Sequence, residues 1–97
     1  MNNYLVIDGM LSGTGIRDPY ETGYIKPEEL GLSDGVVMRL REWLGRYADQ
    51  HFEGYADKSV VADLDLEGVE ISKQIKSELP NSKVSYFSDA LMAKYDI

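Results

Sequence analysis

The sequence predicts one α+β (or α/β) domain, in which a small sheet is covered by two amphipathic helices as a two-layer sandwich. Three observations predict it: a short apolar run near the N-terminus, two segments with apolar residues at helical spacing, and an alternating run after a proline turn. The 97 residues are enough for a single domain, 1–97, with one core. With no cysteine in the chain, packing alone must hold that core together.

The first strand is predicted at residues 4–8. This run is rich in β-forming residues and Gly9 bounds it. Four glycines and Pro19 follow within residues 9–23, which disfavours regular structure through most of that loop. A second strand around Ile16 or Tyr24 remains open.

The first helix is predicted to begin after Ser33, a good N-cap residue, with Asp34 in its first turn. Its apolar residues recur every three or four positions and form one stripe, at Val36, Val37, Leu40, Trp43, Leu44 and Tyr47. We therefore predict Trp43 to be a core residue. Gly45 weakens a helix by about 1 kcal/mol relative to alanine, which predicts a close neighbour beside Trp43.

The second helix is predicted to begin near Asp63 or Asp65 and to run to Leu79, because the residue before Pro80 is biased away from helical geometry. Small residues on this helix allow another element to approach closely, at Gly68 and Ser72. After the turn, residues 83–87 alternate and predict a strand. The tail, residues 88–97, is predicted to be a short helix with three inward side chains, Leu91, Met92 and Tyr95.

Acidic residues are concentrated in residues 48–70, which hold seven acids and one base and so carry −6 of the net charge of −7. Three of the acids are assigned to the first turn of the second helix, where they favour its dipole: Asp63, Asp65 and Glu67. The other acids before that helix have no such structural role. Aromatic residues interleave with them, so the segment offers both a negative field and apolar anchors. This mixture suits a basic protein surface and is poorly suited to nucleic acid.

A partner-binding site is therefore predicted in the acidic segment, at Asp49, Phe52, Glu53, Tyr55 and Asp57. The glycine-rich loop offers a second predicted contact region, at Asp18, Tyr20 and Glu21. The expected partner is a protein with a basic surface.

Catalysis has little support in the sequence. The chain has no cysteine, only one histidine, His51, and no serine in a nucleophile setting. The glycines after the first strand are not followed by the lysine that a phosphate loop needs. We therefore predict no catalytic residue, cofactor or metal, although an enzyme using Asp8 and Asp18 remains a third hypothesis. With no signal-like or membrane-spanning run, the expected location is the cytoplasm.

Several segments resemble small bacterial proteins encoded beside polymorphic toxins. The resemblance covers residues 24 to 87 and is carried by residues 25–33, Trp43 and Tyr47, and by residues 64–68, 76–79 and 84–87. The chain is similar to the immunity proteins of contact-dependent growth inhibition systems. It departs from them in the glycine-rich insertion at residues 9–23.

The resemblance implies a binder that neutralises one cognate toxin, often a nuclease, by covering its active site. The acidic composition agrees with that reading, since a basic nuclease cleft attracts an acidic protein. The alternative is a small acidic regulatory or structural interaction domain with no toxin partner.

Overall fold

A computed structural model describes residues 4–20 and 23–97 of the chain. The strands are β1 (Tyr4–Asp8), β2 (Ile16–Asp18), β3 (Gly23–Tyr24), β4 (Lys83–Ser88) and β5 (Ala93–Asp96). The helices are α1 (Asp34–Phe52) and α2 (Lys58–Glu78), preceded by a 3₁₀ helix over Pro27–Leu30. The first and fourth strands and the start of α1 lie where the sequence predicts them, and both open positions for a second strand, Ile16 and Tyr24, are in strands.

The strands form one sheet in the order β3-β2-β1-β4-β5. The central pair, β1 and β4, is parallel, and every other neighbouring pair is antiparallel. Because α1 and α2 lie between β1 and β4 in the sequence, the long connection between the parallel strands contains both helices. The predicted two-layer α+β architecture is confirmed.

The two faces of the sheet differ because successive residues of a strand point to opposite sides. The core side chains of the central pair lie on the helix-covered face, at Leu5, Ile7, Val84 and Tyr86. The alternate residues lie on the other face, where Val6 is paired with Arg17 on one side and with Ser85 on the other.

Helix α1 begins as predicted, because the Ser33 hydroxyl accepts a hydrogen bond from the Val36 N–H at 3.4 Å. Trp43 is fully buried, so its prediction as a core residue is confirmed. Its indole N–H donates to the Leu64 carbonyl at 2.8 Å, which ties α1 to α2. The Trp43 ring also packs against Tyr86 of β4, with ring centroids 5.9 Å apart.

Helix α2 begins earlier than predicted. It starts at Lys58 rather than near Asp63 or Asp65. The physical reason is Asp57, whose carboxylate accepts hydrogen bonds from the N–H groups of Ser59 and Val60, both at 3.1 Å, and so caps the helix. Asp57 therefore has a structural role, and the prediction that it has none is wrong.

The two helical glycines differ in their surroundings. A side chain at Gly68 would overlap the Tyr86 ring, which confirms that this position allows a close approach. A side chain at Gly45 would meet nothing within 4 Å, so the predicted contact beside Trp43 is wrong. Gly45 lies on the exposed side of α1.

The tail forms a strand instead of the predicted helix. Tyr95 pairs with Tyr86, and the Ile97 N–H donates to the Val84 carbonyl at 3.1 Å. Leu91 and Met92 lie in the turn before β5, and both are exposed, as is Tyr95. Pairing with β4, a contact between distant parts of the chain, decides the conformation of this segment.

The glycine environments predict opposite effects of the same substitution. Gly68→Ala is expected to lower the free energy of unfolding by about 1 to 3 kcal/mol, because the methyl group overlaps a buried ring. Gly45→Ala is the matched control and should raise it by about 0.5 to 1 kcal/mol through helix propensity alone. Urea unfolding measures both. Equal effects of the two substitutions would contradict the assigned packing of α2 on Tyr86.

Candidate partner-binding surface

The turn between the two helices positions the predicted binding residues. Gly54 and Tyr55 both have left-handed backbone conformations, with φ of 69° and 56°. The N–H groups of these residues donate to the carbonyls of His51 and Gln50, at 3.0 and 2.8 Å, and end α1. This conformation is unfavourable for a side chain as large as that of tyrosine, so surrounding contacts must hold it.

Tyr55 supplies those contacts through its own ring. The ring packs edge-on against Tyr47 with centroids 6.0 Å apart, and its hydroxyl lies 3.2 Å from His51 Nδ1. Burial raises the pKa of Tyr55, and the nearby Asp89 carboxylate adds to the shift. Tyr55 is half-buried and supports the turn.

Asp49, Phe52 and Glu53 lie on one face at the C-terminal end of α1, because positions three and four apart are neighbours on a helix. The Phe52 ring is 76% exposed, unusually open for a large aromatic side chain. Asp49 also lines a groove of about 310 Å³ between the helices, and Asp63 of α2 lines the same groove. We call Asp49, Phe52, Glu53 and Asp63 the acidic surface.

Other acids of residues 48–70 are bound within the molecule. Glu67 accepts two hydrogen bonds from Arg46, at 2.7 and 2.9 Å, and these contacts lower the pKa of the Glu67 carboxyl. Glu70 accepts from Arg39 at 3.2 Å. Within the described part of the chain, by contrast, the carboxylates of the acidic surface form neither hydrogen bonds nor ion pairs.

Two of these free carboxylates occupy an unfavourable place. The C-terminal end of a helix carries partial negative charge, so acids there destabilise it by about 0.3 to 1 kcal/mol each. Asp49 lies in the last turn of α1 and Glu53 is its C-cap residue. The chain therefore keeps two negative charges where folding alone would favour positive ones.

The second predicted contact region lies at the opposite end of the sheet. Tyr20 is exposed, and its ring packs edge-on against Tyr4 at the start of β1, with centroids 5.0 Å apart. The turn supported by Tyr47 lies at the other end of β1, where the Tyr47 ring covers Gly9. The four residue steps of β1 span about 13 Å, so the two predicted regions do not form one surface.

The surroundings of the second region are basic. Its cavity of about 460 Å³ is lined by three lysines, Lys76, Lys83 and Lys94. Asp18 is only 7% exposed and accepts a hydrogen bond from the Tyr20 N–H at 2.8 Å, so it offers a partner little surface. Glu21 lies outside the described residues.

The acids Asp8 and Asp18 do not share a site. Asp8 is buried. Its carboxylate accepts hydrogen bonds from the Arg17 guanidinium at 2.8 Å and from the Tyr24 hydroxyl at 2.7 Å. Asp18 follows Arg17 in β2 and so points to the other face of the sheet. Among residues 4–20 and 23–97, no group of three acids or histidines is placed to hold a metal ion.

A buried polar cluster escaped prediction from the sequence. The Asp65 carboxylate accepts hydrogen bonds from the hydroxyls of Tyr86, Ser88 and Tyr47, at 2.6, 2.7 and 3.0 Å. Ala90 N–H in turn donates to the Tyr47 hydroxyl at 3.2 Å. The cluster joins α1, α2 and β4. The prediction that Asp63, Asp65 and Glu67 lie in the first turn of α2 is wrong for all three, because the helix already begins at Lys58.

The signal for this cluster was present in the sequence. Asp65 lies four residues after Val61 and three before Gly68, so it falls on the buried stripe of α2. An acid on such a stripe needs hydrogen-bond donors from neighbouring elements. The identity of those donors depends on tertiary contacts, which the spacing does not reveal.

No protein-family model, curated protein or solved structure matches this chain. None of its helices, among the residues described, is long and apolar enough to span a membrane.

The buried tyrosines predict a loss of stability in alkali. Burial raises the pKa of Tyr47 from 10.0 to about 12, and burial together with the Asp65 hydrogen bond also raises the pKa of Tyr86. Above pH 10 the unfolded chain releases protons that the folded chain retains, so the folded state loses stability as pH rises. Each tyrosine contributes about 1.4 kcal/mol per pH unit between its unfolded and folded pKa values.

Urea unfolding at pH 9, 10 and 11 measures this slope. Above pH 10 the Tyr86→Phe variant should show a shallower slope, by a difference that approaches about 1.4 kcal/mol per unit, because one of the retained protons is gone. An unchanged slope in that variant would contradict the assigned burial of the Tyr86 hydroxyl.

Proposed function

We propose that this chain is an immunity protein that binds a cognate bacterial toxin and neutralises it by occluding a basic active-site cleft. A nuclease is the class of toxin that we favour, because an enzyme that binds phosphates presents such a cleft. Binding in the cytoplasm, where a nuclease would meet its substrate, belongs to the same proposal.

One observation carries the proposal: free carboxylates surround an exposed phenylalanine at a place where they weaken the fold. Asp49 and Glu53 oppose the dipole of α1 and form no ion pair among the described residues. Sequences break a local rule of this kind mostly at functional sites. Phe52 supplies the apolar anchor that a charged rim alone lacks.

The structure of the turn favours a rigid binding element. Tyr55 is held by Tyr47 and His51, so the end of α1 is fixed before a partner arrives. A pre-formed surface loses less conformational entropy on binding than a mobile one. The free carboxylates would speed the encounter with a basic protein, and Phe52 would slow its dissociation.

The proposal predicts that binding and stability respond in opposite directions to charge reversal. Asp49→Lys with Glu53→Lys should raise the free energy of unfolding by about 0.6 to 2 kcal/mol, because both charges then favour the dipole. The same double variant should lose binding to the purified product of the adjacent gene by at least about a hundredfold, since like charges would then meet. Urea unfolding and surface plasmon resonance measure the two effects.

Asp34→Lys provides the matched control. Asp34 is an exposed acid at the first residue of α1, about 22 Å along the helix axis from Asp49, the nearest residue of the acidic surface on this helix. This variant carries a charge reversal on the same helix and should lose stability while keeping full binding. Binding of the double variant at wild-type strength, or no binding of the adjacent gene product by the wild-type chain, would contradict the proposal.

A further inference from the structure

The sheet has an open edge at β5. The hydrogen bond from Ile97 N–H to the Val84 carbonyl shows which residues of this strand face β4. In an antiparallel ladder these residues alternate, so Tyr95 also directs its backbone groups to β4. The N–H and C=O groups of Lys94 and Asp96 therefore point away from the sheet, where no strand follows among the described residues.

An apolar groove runs beside this edge on the helix-covered face. It has a volume of about 500 Å³, and its lining residues come from α2 and from the end of the chain: Ala62, Asp65, Leu66, Val69, Leu91 and Tyr95. Leu66 is 64% exposed and Leu91 is 61% exposed. An open strand edge next to exposed apolar side chains is a template for pairing with another strand.

We propose that the occupant of this edge is a second copy of this chain, which pairs antiparallel through β5 about a two-fold axis at Tyr95. In that register Lys94 of one copy lies opposite Asp96 of the other, and the same pair recurs on the other side of the axis. Both positions have outward backbone groups, so each pair exchanges two backbone hydrogen bonds. The two sheets become one continuous sheet.

The charges on β5 select this register. Lys94 and Asp96 lie on the same face of the sheet, because they are two residues apart. A two-fold axis at Lys94 would place two lysines opposite each other, and an axis at Asp96 would place two aspartates opposite each other. Like charges directly opposite destabilise a strand pair, whereas unlike charges stabilise it. Neither side chain has a partner within the described chain that would compete.

The same register covers the exposed apolar side chains. Tyr95 points to the helix-covered face, so the two Tyr95 rings meet at the axis and close the floor of a shared groove. Leu66 and Leu91 of each copy then line its walls. Self-association of this kind is isologous and closes after two copies.

The proposed dimer leaves the acidic surface open. Asp63 lines the groove between α1 and α2, whereas Ala62 and Leu66 line the groove beside β5. The two surfaces thus lie on opposite sides of α2. The dimer proposal does not rest on the proposed function, and each copy keeps its own toxin-binding site.

Sedimentation equilibrium of the full chain tests the dimer over roughly 1 μM to 1 mM. The wild-type protein should shift from 10.9 kDa towards twice that mass as concentration rises. Lys94→Glu places an acid opposite Asp96 at both pairs and should weaken the dimer by roughly tenfold or more. The exchanged variant, Lys94→Asp with Asp96→Lys, restores unlike pairs in the same register and should dimerise like the wild type.

Thermal unfolding followed by circular dichroism is the folding control. All variants, measured as dilute monomers, should melt as the wild type does. A wild-type chain that stays monomeric throughout, or a dimer that Lys94→Glu leaves intact, would overturn the proposal. Failure of the folded exchanged variant to dimerise would also overturn it. The wild-type chain could instead stay monomeric and bind the adjacent gene product, with Lys94→Pro abolishing that binding. This result would overturn the dimer and assign the β5 edge to a partner's strand.

Discussion

A single buried carboxylate, that of Asp65, constrains the rest of the structure. It accepts hydrogen bonds from one hydroxyl on α1 and two on β4, so both helices and the central sheet meet at one group. Three hydroxyl donors offset the cost of removing the carboxylate from water, and replacing any one of them leaves a buried acceptor underused. These hydrogen bonds fix the rotation of α2 about its axis. That rotation in turn brings Gly68 against Tyr86.

The same cluster reaches the acidic surface through Tyr47. Its hydroxyl donates to the Asp65 carboxylate, and its ring covers Gly9 and packs against the Tyr55 ring. Tyr55 in turn holds the left-handed turn that ends α1. The position of Phe52 therefore depends on a chain of packed aromatic rings that leads back to the core. A buried core group and an exposed aromatic side chain are parts of one arrangement.

Local signals in the sequence were enough for much of this fold. An apolar run located β1, an alternating run located β4, and the Ser33 cap with its apolar stripe located α1, because each signal depends on neighbours in the chain. The start of α2 was misjudged because acids at Asp57 and at Asp63 are both good helix-start residues, and only backbone geometry separates them. The tail was misjudged because pairing with a distant strand overrides local spacing.

Part of the candidate surface could be predicted from the sequence, and part depends on tertiary packing. The acidic segment grouped Asp49, Phe52 and Glu53 in the sequence, and the end of α1 places them on one helical face, whereas Asp63 joins them only through the packing of α2 against α1. Asp57 leaves the set because it caps α2. The buried role of Asp65 depends on three residues distant in sequence, and no local pattern identifies them.

Amide hydrogen exchange of the chain, free and with the purified adjacent gene product, tests the central claim most directly. Under the proposed function, the end of α1, held in place from the core, meets the partner. Binding should slow exchange at residues 49–57 and in the first turns of α2, while exchange in residues 9–20 stays unchanged. Protection confined to residues 9–20, with none at the end of α1, would contradict the account.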